Sequence, residues 1–122
     1  MKRRVRLKEA RCEIDVVAAK EGLALVIDCK HWKRSLGYWM MRRVVRDQID
    51  RAKALASSRL IFIRGCDKFL PTILTLYSEE FTILDGVPIV PINLLSDFTE
   101  KVGGYLGELN VINLVDEPTW IR

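Results

Sequence analysis

The sequence predicts an α/β domain built on a mixed β-sheet, and three observations carry that prediction. Two β-branched, apolar stretches flank the turn pair Glu21-Gly22 and read as a hairpin. A helical apolar stripe then runs from Tyr38 to Ala56. Further extended stretches and a short final helix follow that crossover, giving the order βββαββα. The chain has 122 residues, is 49% hydrophobic and 30% charged, and contains no repeat or low-complexity linker. Residues 1–122 are therefore read as a single domain.

Val5 to Leu7 alternates with basic residues and suits a half-exposed first strand. Cys12 to Ala19 and Leu23 to Lys30 form the hairpin. Ser35-Leu36-Gly37 breaks the pattern before the long helix, and Leu60 to Ile63 is either a short strand or an irregular continuation. Pro71 precedes a strand over Thr72 to Tyr77, which Glu79-Glu80 ends. After the Asp85-Gly86 turn, Val87 to Ile92 is extended. Its two prolines put it at a sheet edge, or in a strand paired on one side only. Asn93 is a candidate cap for a helix over about 94–102, closed by Gly103-Gly104.

Composition excludes several classes. No apolar run reaches the length of a membrane span, and the charged start lacks a signal peptide's apolar core. Cys12, Cys29 and Cys66 form no CxxC pair, and with the single His31 they suit neither a disulfide framework nor a structural zinc site. A cytoplasmic location and no organic cofactor are expected. The charge is strongly divided. Residues 1–68 carry 18 Lys and Arg against 8 Asp and Glu, whereas residues 69–122 carry 2 against 8. A basic half of this kind suits a polyanion-binding surface; the acidic half looks like framework or a partner surface.

Register gives the hairpin its chemical content. A loop at Glu21-Gly22 pairs Lys20 with Leu23, so one face carries Ile14/Cys29, Val16/Ile27 and Ala18/Leu25, all apolar. The other carries Val17/Val26, Asp15 opposite Asp28, and Glu13 opposite Lys30. A shifted register would mix Asp28 and Lys30 into the apolar face, so this one is preferred. Two opposed aspartates in apolar strands repel and resist desolvation. A hard divalent cation such as Mg²⁺ or Mn²⁺ resolves that conflict, and Lys30 lies beside it on the same face. The plainer reading is a surface cluster in which Lys30 pairs with Glu13. On the helix, Met41, Val44, Val45, Ile49, Ala52, Leu55 and Ala56 form the apolar stripe, with Gln48 at its centre. A glutamine there either bonds a strand's backbone or reaches the carboxylate–lysine face.

Asp15, followed by Asp28-Cys29-Lys30, resembles the PD-(D/E)xK nuclease signature, and the flanking Glu13 to Ala18 and Val26 to Trp32 resemble its archaeal and Mrr-like members and the Holliday-junction resolvases. The resemblance covers residues 5–58 closely and the rest by layout. It implies a restriction-endonuclease-like three-layer core with a long helix after the catalytic hairpin, and a divalent-metal-dependent DNA endonuclease activity. Asp15 and Asp28 would be metal ligands, joined by the Cys29 backbone carbonyl and with Glu13 as an auxiliary. Lys30 would position the attacking water or steady the phosphate, and Gln48 would match a helix glutamine near the site. The family's first helix, with its glutamate, has no counterpart before the first strand. It is absent, belongs to a longer chain, or comes from a partner, and Glu9 or Glu13 would compensate. The alternative is a catalytically incomplete module that binds nucleic acid or scaffolds a larger complex.

DNA contacts are expected from Lys33, Arg34, Arg42, Arg43 and Arg46, interleaved with Trp32, Tyr38 and Trp39, with His31 as a further contact or a structural residue. Core or dimer packing is the competing reading for Trp32 and Trp39. A homodimer is expected, with Val87 to Ile92 and Val111 to Arg122 as candidate interface elements.

Overall fold

The computed structural model describes residues 2–7, 12–30, 37–58, 65–75 and 81–113, with side chains from Val16 onward, Ser58 apart. The strands are β1 (Lys2–Leu7), β2 (Cys12–Lys20), β3 (Leu23–Lys30), β4 (Lys68–Thr75), β5 (Thr82–Leu84), β6 (Val87–Pro91) and the two-residue β7 (Ile112–Asn113). Helix α1 spans Tyr38–Ser58 and α2 spans Leu95–Lys101. Six strands lie in the order β1-β2-β3-β4-β6-β5, and β7 pairs with β4. The three strands β3, β4 and β6 are parallel, while β1–β2, β2–β3 and β5–β6 are antiparallel. The fold is thus a mixed α/β sheet with α1 on one face and α2 on the other.

Glu21 (φ 52°) and Gly22 (φ 83°) both adopt positive φ, the backbone of a type I′ hairpin turn. The register follows as the alternation predicts, from Val16↔Ile27 and Val17↔Val26 to Lys20↔Leu23. Past the turn, the Gly22 carbonyl accepts the N–H groups of Asp67 (3.0 Å) and Lys68 (3.2 Å), which ties β4 to the hairpin. A second hairpin turn uses Asp85 (φ 51°) and Gly86 (φ 78°) between β5 and β6. A Cβ at Gly86 would meet Asn110 at 2.8 Å, so both backbone and space require glycine there.

Alternation sorts the core into two faces. On the α1 face, Val17, Ala24, Val26 and Phe69 pack with Ala52, Leu55 and Ala56, and Val45 packs with Ile73, Val87 and Ile89. On the α2 face, Leu25, Ile27, Leu70, Leu74 and Val90 pack with Phe98, Val102 and Leu109. Large side chains at full burial contribute about 1.5–3 kcal/mol each, so these clusters hold the sheet between its helices.

Four sequence expectations are corrected. The fourth strand begins at Lys68 and takes in Pro71, where a start at Thr72 was expected. Pro71 is tolerated because β4's second side pairs with β7 at Lys68 and Phe69 and with β6 only from Ile73 on. Among the described residues, Pro71 falls in the gap between them. Strand β6 is interior and buried, not an edge, which removes the 87–92 segment as an exposed dimer edge. Its prolines fit because Pro88 faces only β5 and Pro91 faces only β4. Asn93 does not cap α2. A 3-10 turn over Ile92–Leu94 leads in, and Leu94 precedes the helix without a side-chain cap. Gly103-Gly104 does not end the segment either. The chain continues in 3-10 turns over Val102–Glu108, because the buried Val102 keeps it against the sheet. The expectations for Leu60 to Ile63, Leu76-Tyr77, Glu79-Glu80 and 114–122 fall outside the described residues.

Candidate active site at the ends of β3 and β4

The polar cluster grows from the carboxyl ends of two parallel strands. Asp28 and Lys30 are two residues apart on β3 and share its α1 face. Asp28 is only 8% exposed, in a strand whose preceding four residues are buried and apolar. A carboxylate in that position requires charged partners, and among the described residues Lys30 and Arg51 supply them. Lys30 Nζ lies 2.9 Å from Asp28 Oδ2, and Arg51 Nη1 lies 3.2 Å from the same oxygen.

Helix α1 supplies the support. Gln48 is fully buried at the centre of the apolar stripe, as its spacing predicts. Its Nε2 donates to the Val26 carbonyl at 2.6 Å, and its Oε1 accepts from Arg51 Nη1 at 3.3 Å. The bond to strand backbone is the first of the two readings; the glutamine also bonds Arg51, which in turn meets Asp28. Because Val26 and Asp28 are neighbours on one face, the glutamine fixes the arginine in register with the carboxylate. Arg51 was not anticipated. The available signal was its place three residues after a stripe-centred glutamine, a spacing that puts the two side chains side by side.

The remaining expected residues are distributed as follows. Asp15 and Glu13 lie on β2, and the hairpin register continued one step past Val16↔Ile27 sets Asp15 opposite Asp28. Their side chains lie outside the described ones. Cys29 points its side chain to the opposite, α2 face, among Leu25 and Ile27. His31, Trp32, Lys33 and Arg34 lie outside the described residues. Arg42 donates to Asp85 Oδ2 at 3.2 Å and sits 5.8 Å from the Tyr38 ring centroid, joining α1 to the β5–β6 turn. That hydrogen bond and the Asp85 charge raise the Arg42 pKa above its ordinary value. Arg43 and Arg46 are exposed. Trp39 is 76% exposed, which removes core packing as its role, and it meets Tyr38 edge-on at 5.4 Å.

Among the described residues no group of three or more His, Cys, Asp and Glu comes together. Asp28 and the Cys29 carbonyl are hard oxygen donors, the chemistry Mg²⁺ takes when it keeps several waters. Among the described residues no helix is long and apolar enough to cross a membrane.

No protein-family model matches the chain. An uncharacterized protein of Archaeoglobus fulgidus is 29% identical to it over 109 residues, which cover 86% of this chain and 78% of that protein. No solved structure matches.

Proposed function

We propose that the chain is a divalent-metal-dependent DNA endonuclease of the PD-(D/E)xK kind, acting at Asp28 and Lys30. The observation that supports this reading most is the nearly buried Asp28 carboxylate held 2.9 Å from Lys30 at the carboxyl end of a parallel strand. Open α/β sheets bind ligands outside those strand ends. Asp15, one residue before Val16 on β2, is the second carboxylate that the resemblance implies.

A bound Mg²⁺ or Mn²⁺ would supply Lewis acidity and an acidified water. The chain's own groups do the rest. Asp28 and the Cys29 carbonyl would hold the cation, with Asp15 as the further ligand that the resemblance implies. Lys30 Nζ is placed to leave Asp28 and donate to a non-bridging phosphate oxygen, where negative charge develops. Arg51, braced by Gln48, keeps Asp28 oriented while Lys30 is engaged. The exposed Arg43 and Arg46, with Trp39, extend the contact along the nucleic-acid backbone.

The test is incubation of the full chain with supercoiled plasmid and Mg²⁺ or Mn²⁺. Nicking or linearisation is expected, and Asp28→Ala and Lys30→Ala reduce it by about a hundredfold or more while leaving the chain folded. Undiminished cleavage by either variant would overturn the assignment. A second reading, a non-catalytic nuclease-fold module that binds nucleic acid, is favoured by one specific feature. Asp28 already has two cationic partners of its own, Lys30 and Arg51. DNA binding without cleavage in either metal would select it.

A further inference from the structure

Thr75 ends β4 and is 4% exposed, yet among the described residues its Oγ1 has no hydrogen-bond partner. The contrast with Thr72 on the same strand is direct. Thr72 is equally buried, but its hydroxyl donates to the Leu70 carbonyl at 3.1 Å. A buried hydroxyl left without a partner costs about 1–3 kcal/mol, and valine would fill the same space without that cost. The position of Thr75 supplies a reason for the hydroxyl. It is paired in register with Lys30 across the parallel β3–β4 ladder. It also lies two residues beyond Ile73, which packs on Val45 of α1, so Thr75 shares the α1 face with Asp28 and Lys30. Adjacent strands are about 4.8 Å apart, which puts the hydroxyl one strand-width from the lysine. Both residues stand at the carboxyl ends of parallel strands.

We propose that Thr75 is a substrate-positioning residue whose hydroxyl donates to an oxygen of the phosphoryl group held by Lys30. This rests on the phosphodiesterase reading and adds to it a second protein donor, on a different strand. With Lys30 and Thr75 on neighbouring strands, one phosphate is gripped from two sides and its orientation is fixed as well as its charge.

The test compares the full-length wild type with Thr75→Val, Thr75→Ala and Thr75→Ser. Valine keeps the shape and the β propensity, alanine is a second hydroxyl-free variant should valine disturb packing, and serine keeps the donor. The first measurement is thermal melting with increasing inorganic phosphate against chloride of equal ionic strength. Wild type and Thr75→Ser gain melting temperature from phosphate, and Thr75→Val and Thr75→Ala lose most of that gain. No gain in the wild type, or an equal gain in all four, overturns the proposal. The second measurement is single-turnover plasmid cleavage in Mn²⁺. A hydrogen bond to a charged group predicts a loss of about tenfold to a hundredfold in the valine variant, with serine within about threefold of wild type. Equal cleavage by valine and wild type also overturns it. If the wild type responds to phosphate through Thr75 but cleaves nothing, the nuclease reading fails and the phosphate contact stands.

Discussion

The two faces of the sheet are built to different rules. Against α2, Leu25, Ile27, Leu70, Leu74 and Val90 meet Phe98, Val102 and Leu109 in an apolar cluster. Its buried polar member, Thr72, bonds locally to its own strand. Against α1, the apolar packing is interrupted towards the strand ends by Asp28, Gln48 and Thr75, all nearly or fully buried. Burying those groups costs stability that an apolar replacement would restore. One face is optimised for cohesion, and the other gives up some cohesion for a defined arrangement of charge. Under the proposed function, that difference is what a site set into a stable framework would show.

The contrast can be broken at several points. Lys30→Ala on the α1 face is expected to reduce cleavage by about a hundredfold to a thousandfold or more, read by plasmid assay, while calorimetry shows little change in melting temperature because Arg51 still pairs with Asp28. Phe98→Ala on the α2 face should do the reverse. It costs about 3–5 kcal/mol in urea unfolding, yet leaves the rate per folded molecule unchanged. Gln48→Leu strands the Val26 carbonyl and frees Arg51, at a cost of about 1–3 kcal/mol. It should weaken activity as well as stability, the one substitution of the three to move both. Removing Arg43 and Arg46 together should flatten the dependence of log K for DNA on log salt by about 0.9 per arginine lost, with stability unaffected.

The smallest effect concerns Cys66, packed on the α1 face beside Phe69. Burial, reinforced by the nearby Asp67 charge, pushes its thiol pKa up. A raised native pKa means that the unfolded chain loses its proton first as pH rises. The thiol's contribution is therefore complete below the ordinary cysteine pKa and is lost as pH climbs through the native value. Urea midpoints measured from neutral to alkaline pH should fall in that window, and Cys66→Ala should flatten the decline.

Much of the α1 face was legible because period and alternation act on backbone alone. The hairpin register follows from the apolar sets of β2 and β3, and the stripe with Gln48 at its centre follows from 3.6-residue spacing. Strands β4, β5 and β6 were harder. Prolines lower strand propensity in general, but what decides their fate is which neighbour happens to be paired at that residue, and only tertiary structure supplies that. Strand β5 is three residues long, with Thr82-Ile83-Leu84 ahead of Asp85-Gly86 as its one local signal. Arg51 and Thr75 were hidden for another reason. Their significance lies in partners on other elements: Asp28 for the arginine, and for the threonine a partner that is absent among the described residues.

The doubly bonded Gly22 carbonyl has a consequence for folding order. The hairpin β2–β3 is a local structure that closes in microseconds, whereas β4 can join it only after the chain has passed through α1. When β4 arrives, the acceptor waiting in the turn takes Asp67 and Lys68 and so indexes the whole parallel ladder. A slip of one residue would carry Phe69, Ile73 and Thr75 to the wrong side of the sheet and bring Leu70, Thr72 and Leu74 under α1. A tight turn remote from the strand ends thus sets which side chain stands next to Lys30.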